Sequence, residues 1–147
     1  MTDAFEAVDI LLVEDSDADA EMTMRALRKG GVVNKLVRVH DGVEALEFVF
    51  CEGAFADRSG GRPKLILLDL KMPRLGGIDV LRRLKSDDLT KVIPVVMLTS
   101  SAEERDVVES YHLGVNSYLV KPVNFSTFTD VVSQAGLYWA VMNRLPT

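Results

Sequence analysis

Five short apolar runs punctuate the chain: VDILLV (8–13), KLVRV (35–39), LILL (65–68), VIPVVML (92–98) and NSYLV (116–120). Runs this short, bounded by turn formers, predict strands, and those without polar alternation predict strands covered on both faces. Between them apolar positions recur every three or four residues, the period of a helix with one buried face. A helix is predicted from about Asp17, with Ala20, Met24 and Leu27 on one face and Gly30-Gly31 as its stop. The Asp41-Gly42 turn opens VEALEFVF, in which Val43, Leu46 and Phe50 share a side. After Gly76-Gly77 a helix follows near 79–87 with Val80, Leu81 and Leu84 inward, and two more are expected over about 103–113 and 125–143. The segment GAFADRSGGRP (53–63) reads as a solvated loop with no role assigned.

Fivefold alternation of strand and helix predicts the α/β class, a doubly wound, five-stranded parallel sheet with right-handed crossovers and helices on both faces. At 147 residues the chain has the size of one domain, expected to span 1–147 with its core over about 8–143. Its end at Thr147 leaves no room for an output domain, so the expected output is a contact made by the domain itself. No apolar stretch approaches the roughly 18 residues of a membrane span. The acidic start MTDAFEAVD is unlike a secretory signal, and a cytoplasmic location is expected. A net charge of −5 without a basic run argues against direct nucleic-acid binding, which needs clustered Lys and Arg. The single cysteine, Cys51, follows Phe48, Val49 and Phe50 and reads as a half-buried structural thiol.

In sheets of this kind ligands bind beyond the carboxyl ends of the strands. Glu14-Asp15 follow the first strand, Asp69 the third, Thr99-Ser100 the fourth and Lys121-Pro122 the fifth. Taken singly, each has an ordinary role: the acids and hydroxyls can cap helices, Asp69 can bond turn amides, and Lys121 can be a solvated turn residue. Independent capping does not, however, select three carboxylates, a hydroxyl and an ammonium for the ends of four strands. Carboxylates this close either take up protons or hold a hard cation. Mg²⁺ fits, since it is held by one or two carboxylates together with phosphate oxygens. A carboxylate can itself attack a phosphoryl group, with the cation, Lys121 and Thr99 neutralising the phosphoryl oxygens.

The segments LLVEDS, LILLDLKMPRLGG, VVMLTSS and SYLVKP, in that order, resemble the receiver domain of two-component response regulators over about residues 8–143. The resemblance implies a flavodoxin-like three-layer fold with strand order 2-1-3-4-5. It implies a phosphoacceptor served by a sensor histidine kinase, a signalling protein rather than an enzyme, which assists its own phosphotransfer and slow autodephosphorylation. Asp69 would be the phosphoacceptor, with Mg²⁺ on Asp15, Asp69 and the backbone carbonyl of Lys71, and on Glu14 through water. Thr99, Ser100 and Lys121 would stabilise the phosphoryl group, and a cis peptide would precede Pro122. Thr99 and Tyr118 would form a switch pair that biases a pre-existing equilibrium of the surface made by the fourth helix, fifth strand and fifth helix. Lys71 departs from the neutral side chain common at its position.

Rival readings fit less well. A flavin binder of the same fold needs a phosphate loop with free amides after the first strand, where EDSDAD would repel a phosphate. A haloacid-dehalogenase-like phosphatase needs a second Asp two residues after the first, where this chain has Lys71. A pseudo-receiver that only docks does not need the complete acid set. In the last helix Phe125, Phe128, Val132, Ala135, Trp139 and Met142 form one apolar stripe, read as core. Val131, Tyr138 and Val141 form a second, read as a candidate interface for a homodimer. YWAVMNRLP and VEDSDADAEMTMRAL are similar to single-domain regulators partnered with bacteriophytochrome-type histidine kinases. His40 and His112 read as ordinary surface or core residues.

Overall fold

The computed structural model describes residues 9–29, 35–58, 61–101, 114–115, 117–134 and 136. Strands β1 (Ile10–Val13), β2 (Leu36–Val39), β3 (Leu65–Asp69), β4 (Val95–Thr99) and β5 (Ser117–Val120) form one parallel sheet in the order β2-β1-β3-β4-β5. This is the order the resemblance implied. Every residue of β1, β3 and β4 is buried, which is why these runs carry no polar alternation.

Alternate side chains feed two cores. Ile10, Leu12, Leu65, Leu67, Val96 and Leu98 meet Ala20 and Leu27 of α1 (Asp17–Arg28) and Phe128 and Val132 of the last helix (Phe125–Gln134). On the opposite face Leu11, Val13, Ile66, Leu68, Val95 and Met97 meet α2 (Gly42–Phe50) and α3 (Gly77–Lys85). Val80, Leu81 and Leu84 of α3 point inward as the periodicity predicts. Ser16 caps α1 by accepting from the amide of Asp19, and Asp41 caps α2 through the amide of Glu44. Among the described residues no helix is long and apolar enough to cross a membrane.

Several local expectations are corrected. β4 begins at Val95 rather than at 92: Val92 is exposed, the amides of Thr90 and Ile93 close a turn, and Pro94 has no amide to give a ladder. In α2 the buried residues are Gly42, Ala45, Phe48 and Val49, while Val43, Leu46 and Phe50, which share a side as expected, are half-buried. A helix that is apolar almost all round fits more than one 3.6-residue stripe, and the neighbouring α3 decides between them. The 53–63 segment is tethered rather than simply solvated. It opens with a 3₁₀ turn at Gly53–Phe55, and Phe55 packs edge-on against Phe48 with ring centroids 5.0 Å apart. Arg58 stacks 4.0 Å from the centre of the Phe48 ring and donates twice to the Phe48 carbonyl at the end of α2. Val131, assigned to the exposed second stripe, is 9% exposed and belongs to the core with Phe128 and Val132. Val131 adjoins Val132 on the helix, so the described part of the helix buries a wider arc than one row of side chains. The predicted 103–113 helix, the Gly30-Gly31 stop, Ala135, His112, Tyr138, Trp139, Val141 and Met142 lie outside the described residues. His40 is an exposed residue beside Glu44, and Cys51 is half-exposed.

Candidate functional site

Strand register assembles the site. Val13 pairs with Leu68, so Glu14 and Asp69 are neighbours one step further on; Asp69 pairs with Leu98, and Thr99 with Val120. The Lys121 amide donates to the Thr99 carbonyl at 2.8 Å, which brings Lys121 to the same edge. The Lys121-Pro122 peptide is cis, as the resemblance implied.

Glu14, Asp15 and Asp69 each offer an oxygen within 4.8 Å of the others. Glu14 is fully buried, Asp69 is 5% exposed, and Asp15 opens to solvent. The Lys121 ammonium lies 3.1 Å from Glu14 Oε1 and 3.4 Å from Asp69 Oδ1. Burial, reinforced by the hydrogen bond and charge of Glu14, pushes the Asp69 carboxyl up to about 7, with Lys121 opposing. Burial by itself would lower the Lys121 pKa, but Glu14, Asp69 and Asp19 outweigh it and hold the ammonium above its ordinary range. Two buried carboxylates sharing one ammonium therefore leave the edge short of positive charge.

Thr99 is fully buried, and its hydroxyl has no partner among the described residues. A buried hydroxyl left unpaired costs about 1–3 kcal/mol, so its position calls for a reason other than packing. The donor set fits a hard divalent cation: three carboxylates converge, one of them open to solvent, with an unpaired hydroxyl beside them. Ser100 is exposed at the end of β4, Lys71 is exposed after β3, and Tyr118 is half-buried against the α2–α3 core.

The loops around these groups are fixed by close contacts. A Cβ on Gly77 would stand 2.5 Å from the Asp69 carbonyl oxygen, so α3 can start against the end of β3 only with glycine there. Arg74, at a φ of 65°, donates from Nε and Nη2 to Asp41 Oδ2 at 2.9 and 2.6 Å and ties the loop after β3 to the start of α2.

Two residues that sequence reasoning passed over belong to the site's frame. Arg38 of β2 donates from Nε and Nη2 to the Glu14 carbonyl at 2.9 and 2.8 Å and from Nη1 to Asp17 at 2.8 Å. It holds the loop that carries the acid pair, and the available signal was a lone arginine inside an apolar run. Asp19 takes a hydrogen bond from Lys121 at 3.2 Å; in the sequence it is indistinguishable from a helix-capping acid.

A five-stranded doubly wound sheet with an acid cluster, a buried threonine and a lysine at its carboxyl edge defines a phosphoacceptor signalling domain. The response regulator receiver domain family matches residues 10–133, and the chain belongs to that family. Its members act as phosphoacceptor response regulators and are signalling proteins. Within the family, relatives include regulators of phytochrome signalling. Response regulator Rcp1 of Synechocystis is 39% identical over 137 residues, 93% of this chain and 92% of Rcp1. The probable methanogenesis regulatory protein FilR2 of Methanothrix harundinacea is 38% identical over 98% of this chain and 93% of its own. Among solved structures, the bacteriophytochrome response regulator RtBRR is 48% identical with a TM-score of 0.87, covering 95% of this chain and 84% of its own. The phosphorylated cyanobacterial phytochrome response regulator RcpA is 41% identical with a TM-score of 0.71 over 90% of this chain and 94% of its own. Rcp1 has been solved in a Mn²⁺-bound form, 38% identical with a TM-score of 0.71 over 95% of this chain and 99% of its own.

Proposed function

We propose that this domain accepts a phosphoryl group on Asp69 from the phosphohistidine of a sensor kinase, with Mg²⁺ on Asp15, Asp69 and the Lys71 carbonyl, and on Glu14 through water. The observation that carries the reading is the buried Asp69 between Glu14 and Lys121 with the unpartnered Thr99 hydroxyl beside it. An oxygen of the Asp69 carboxylate attacks phosphorus, the P–N bond to the donor breaks with its electron pair going to the imidazole, and an acyl phosphate forms. Glu14, Asp15 and Asp69 would hold the cation, which when bound would supply positive charge to offset the carboxylate and phosphoryl oxygens. Lys121 pairs with the new dianion, Thr99 donates to it, and Ser100 lies next in line; slow hydrolysis returns Asp69 to its carboxylate. Once Thr99 is drawn to the phosphoryl group, Tyr118 follows it inward, and the surface around β5 changes its affinity for partners.

The phosphorylated RcpA and Mn²⁺-bound Rcp1 relatives support the chemistry, and the phytochrome regulators support a bacteriophytochrome-type histidine kinase as donor. As its assembly we propose a homodimer through the face that includes β5. Val120, an apolar residue 49% exposed on that edge strand, speaks for it among the described residues. The test is incubation with acetyl phosphate and MgCl₂ followed by intact mass measurement. A single added phosphoryl group on the wild type, absent with EDTA and on Asp69→Asn, is expected; an equal adduct on the variant overturns the reading.

A further inference from the structure

The Lys121 ammonium faces three carboxylates, one more than the phosphoacceptor reading uses. Beside Glu14 and Asp69 it donates to Asp19 Oδ2 at 3.2 Å, in the first turn of α1. An ammonium has three protons to give, and here each has a carboxylate before it. The three are not equivalent. Glu14 and Asp69 belong to the acid cluster, whereas Asp19 stands outside it and its side chain is 44% exposed. A divalent cation on the cluster draws on the same two carboxylates that Lys121 contacts. Like charges then repel, and the ammonium needs another place to rest.

We infer that Asp19 is a positioning residue that takes Lys121 when Glu14 and Asp69 turn to a divalent cation, and gives it up when a phosphoryl group arrives on Asp69. The inference rests on the phosphoacceptor reading and adds a role for a carboxylate outside the acid cluster. Its consequences have opposite signs. Without the Asp19 charge, Lys121 competes harder for Glu14 and Asp69, so cation binding to the unphosphorylated protein weakens. With the cation saturating, an ammonium no longer divided between Asp19 and the phosphoryl position binds a phosphoryl mimic more tightly. Damage to α1 would instead weaken both.

The experiment uses the full chain and its Asp19→Asn variant. Calorimetric titration with MgCl₂ gives the cation Kd, and ¹⁹F NMR titration with beryllium trifluoride at saturating MgCl₂ gives that of the mimic. The expected result is a two- to fivefold weaker cation Kd and a two- to fivefold tighter mimic Kd, the scale of a partly exposed ion pair. No change in either constant, or a loss in both, overturns the inference. Repeating the MgCl₂ titration in a Lys121→Met background separates a contact from a general field: the Asp19→Asn effect vanishes if Asp19 acts through the ammonium, and its persistence overturns that route. A wild type that binds neither probe refutes the phosphoacceptor reading itself.

Discussion

Asp69 should make the cation-free protein less stable as pH rises, and the size of the effect follows from its surroundings. The unfolded chain ionises this carboxyl near the usual 3.8, whereas the folded site, through burial and Glu14, keeps the proton up to about 7. Between those values the native state binds more protons than the unfolded one, so stability falls through that window. The penalty is absent below 3.8 and complete above 7. The whole step corresponds to about 4 kcal/mol, and the stretch from pH 5 to pH 8 carries about 3 kcal/mol of it. Asp69→Asn has no proton to lose at that position and serves as the reference. Urea unfolding followed by circular dichroism in EDTA should show the wild type losing about 3 kcal/mol more than the variant between pH 5 and pH 8, a midpoint displacement of at least about 1 M. Adding MgCl₂ at pH 8 should recover stability in the wild type and much less in the variant. Parallel pH profiles for the two proteins would refute the reasoning, since Asp69 would then titrate like an ordinary surface carboxyl.

Thr99→Val removes a buried hydroxyl that has no described partner, so it should raise stability by about 1 kcal/mol while slowing labelling by acetyl phosphate; chemical unfolding and intact mass check the two effects. Arg38→Met cuts three hydrogen bonds that hold Glu14 and Asp17, and should cost about 1–3 kcal/mol and weaken the calorimetric Mg²⁺ affinity severalfold. Gly77→Ala forces a methyl to within 2.5 Å of the Asp69 carbonyl oxygen; a loss of about 1–3 kcal/mol in thermal unfolding is expected.

The parts legible in the sequence are those that depend on local pattern. Strands buried on both faces must be uninterrupted apolar runs, so β1, β3 and β4 stand out, and a charge at the end of such a run is conspicuous at Glu14 and Asp69. What escaped depends on contacts between distant segments. Arg38 and Glu14 lie 24 residues apart and Lys121 and Asp19 lie 102 apart, and no local period relates them. The burial of Val131 escaped for a related reason. A helix with more apolar positions than one stripe leaves its rotation to be decided by its neighbours. The tether of the 53–63 segment was hidden because Arg58 looks like a solvated charge until its guanidinium meets the Phe48 ring and carbonyl.

The central claim is that the phosphoryl group goes to Asp69 and not to the carboxylates around it. Borohydride reduces an acyl phosphate to an alcohol, so treating the acetyl phosphate-labelled, Mg²⁺-loaded protein with borohydride and mapping its peptides locates the acceptor. Reduction confined to the peptide carrying LILLDLKMPR, with Asp69 converted to homoserine, is the predicted result. Reduction at Glu14, Asp15 or Asp19, or none at position 69 in protein whose intact mass shows the adduct, would contradict the account.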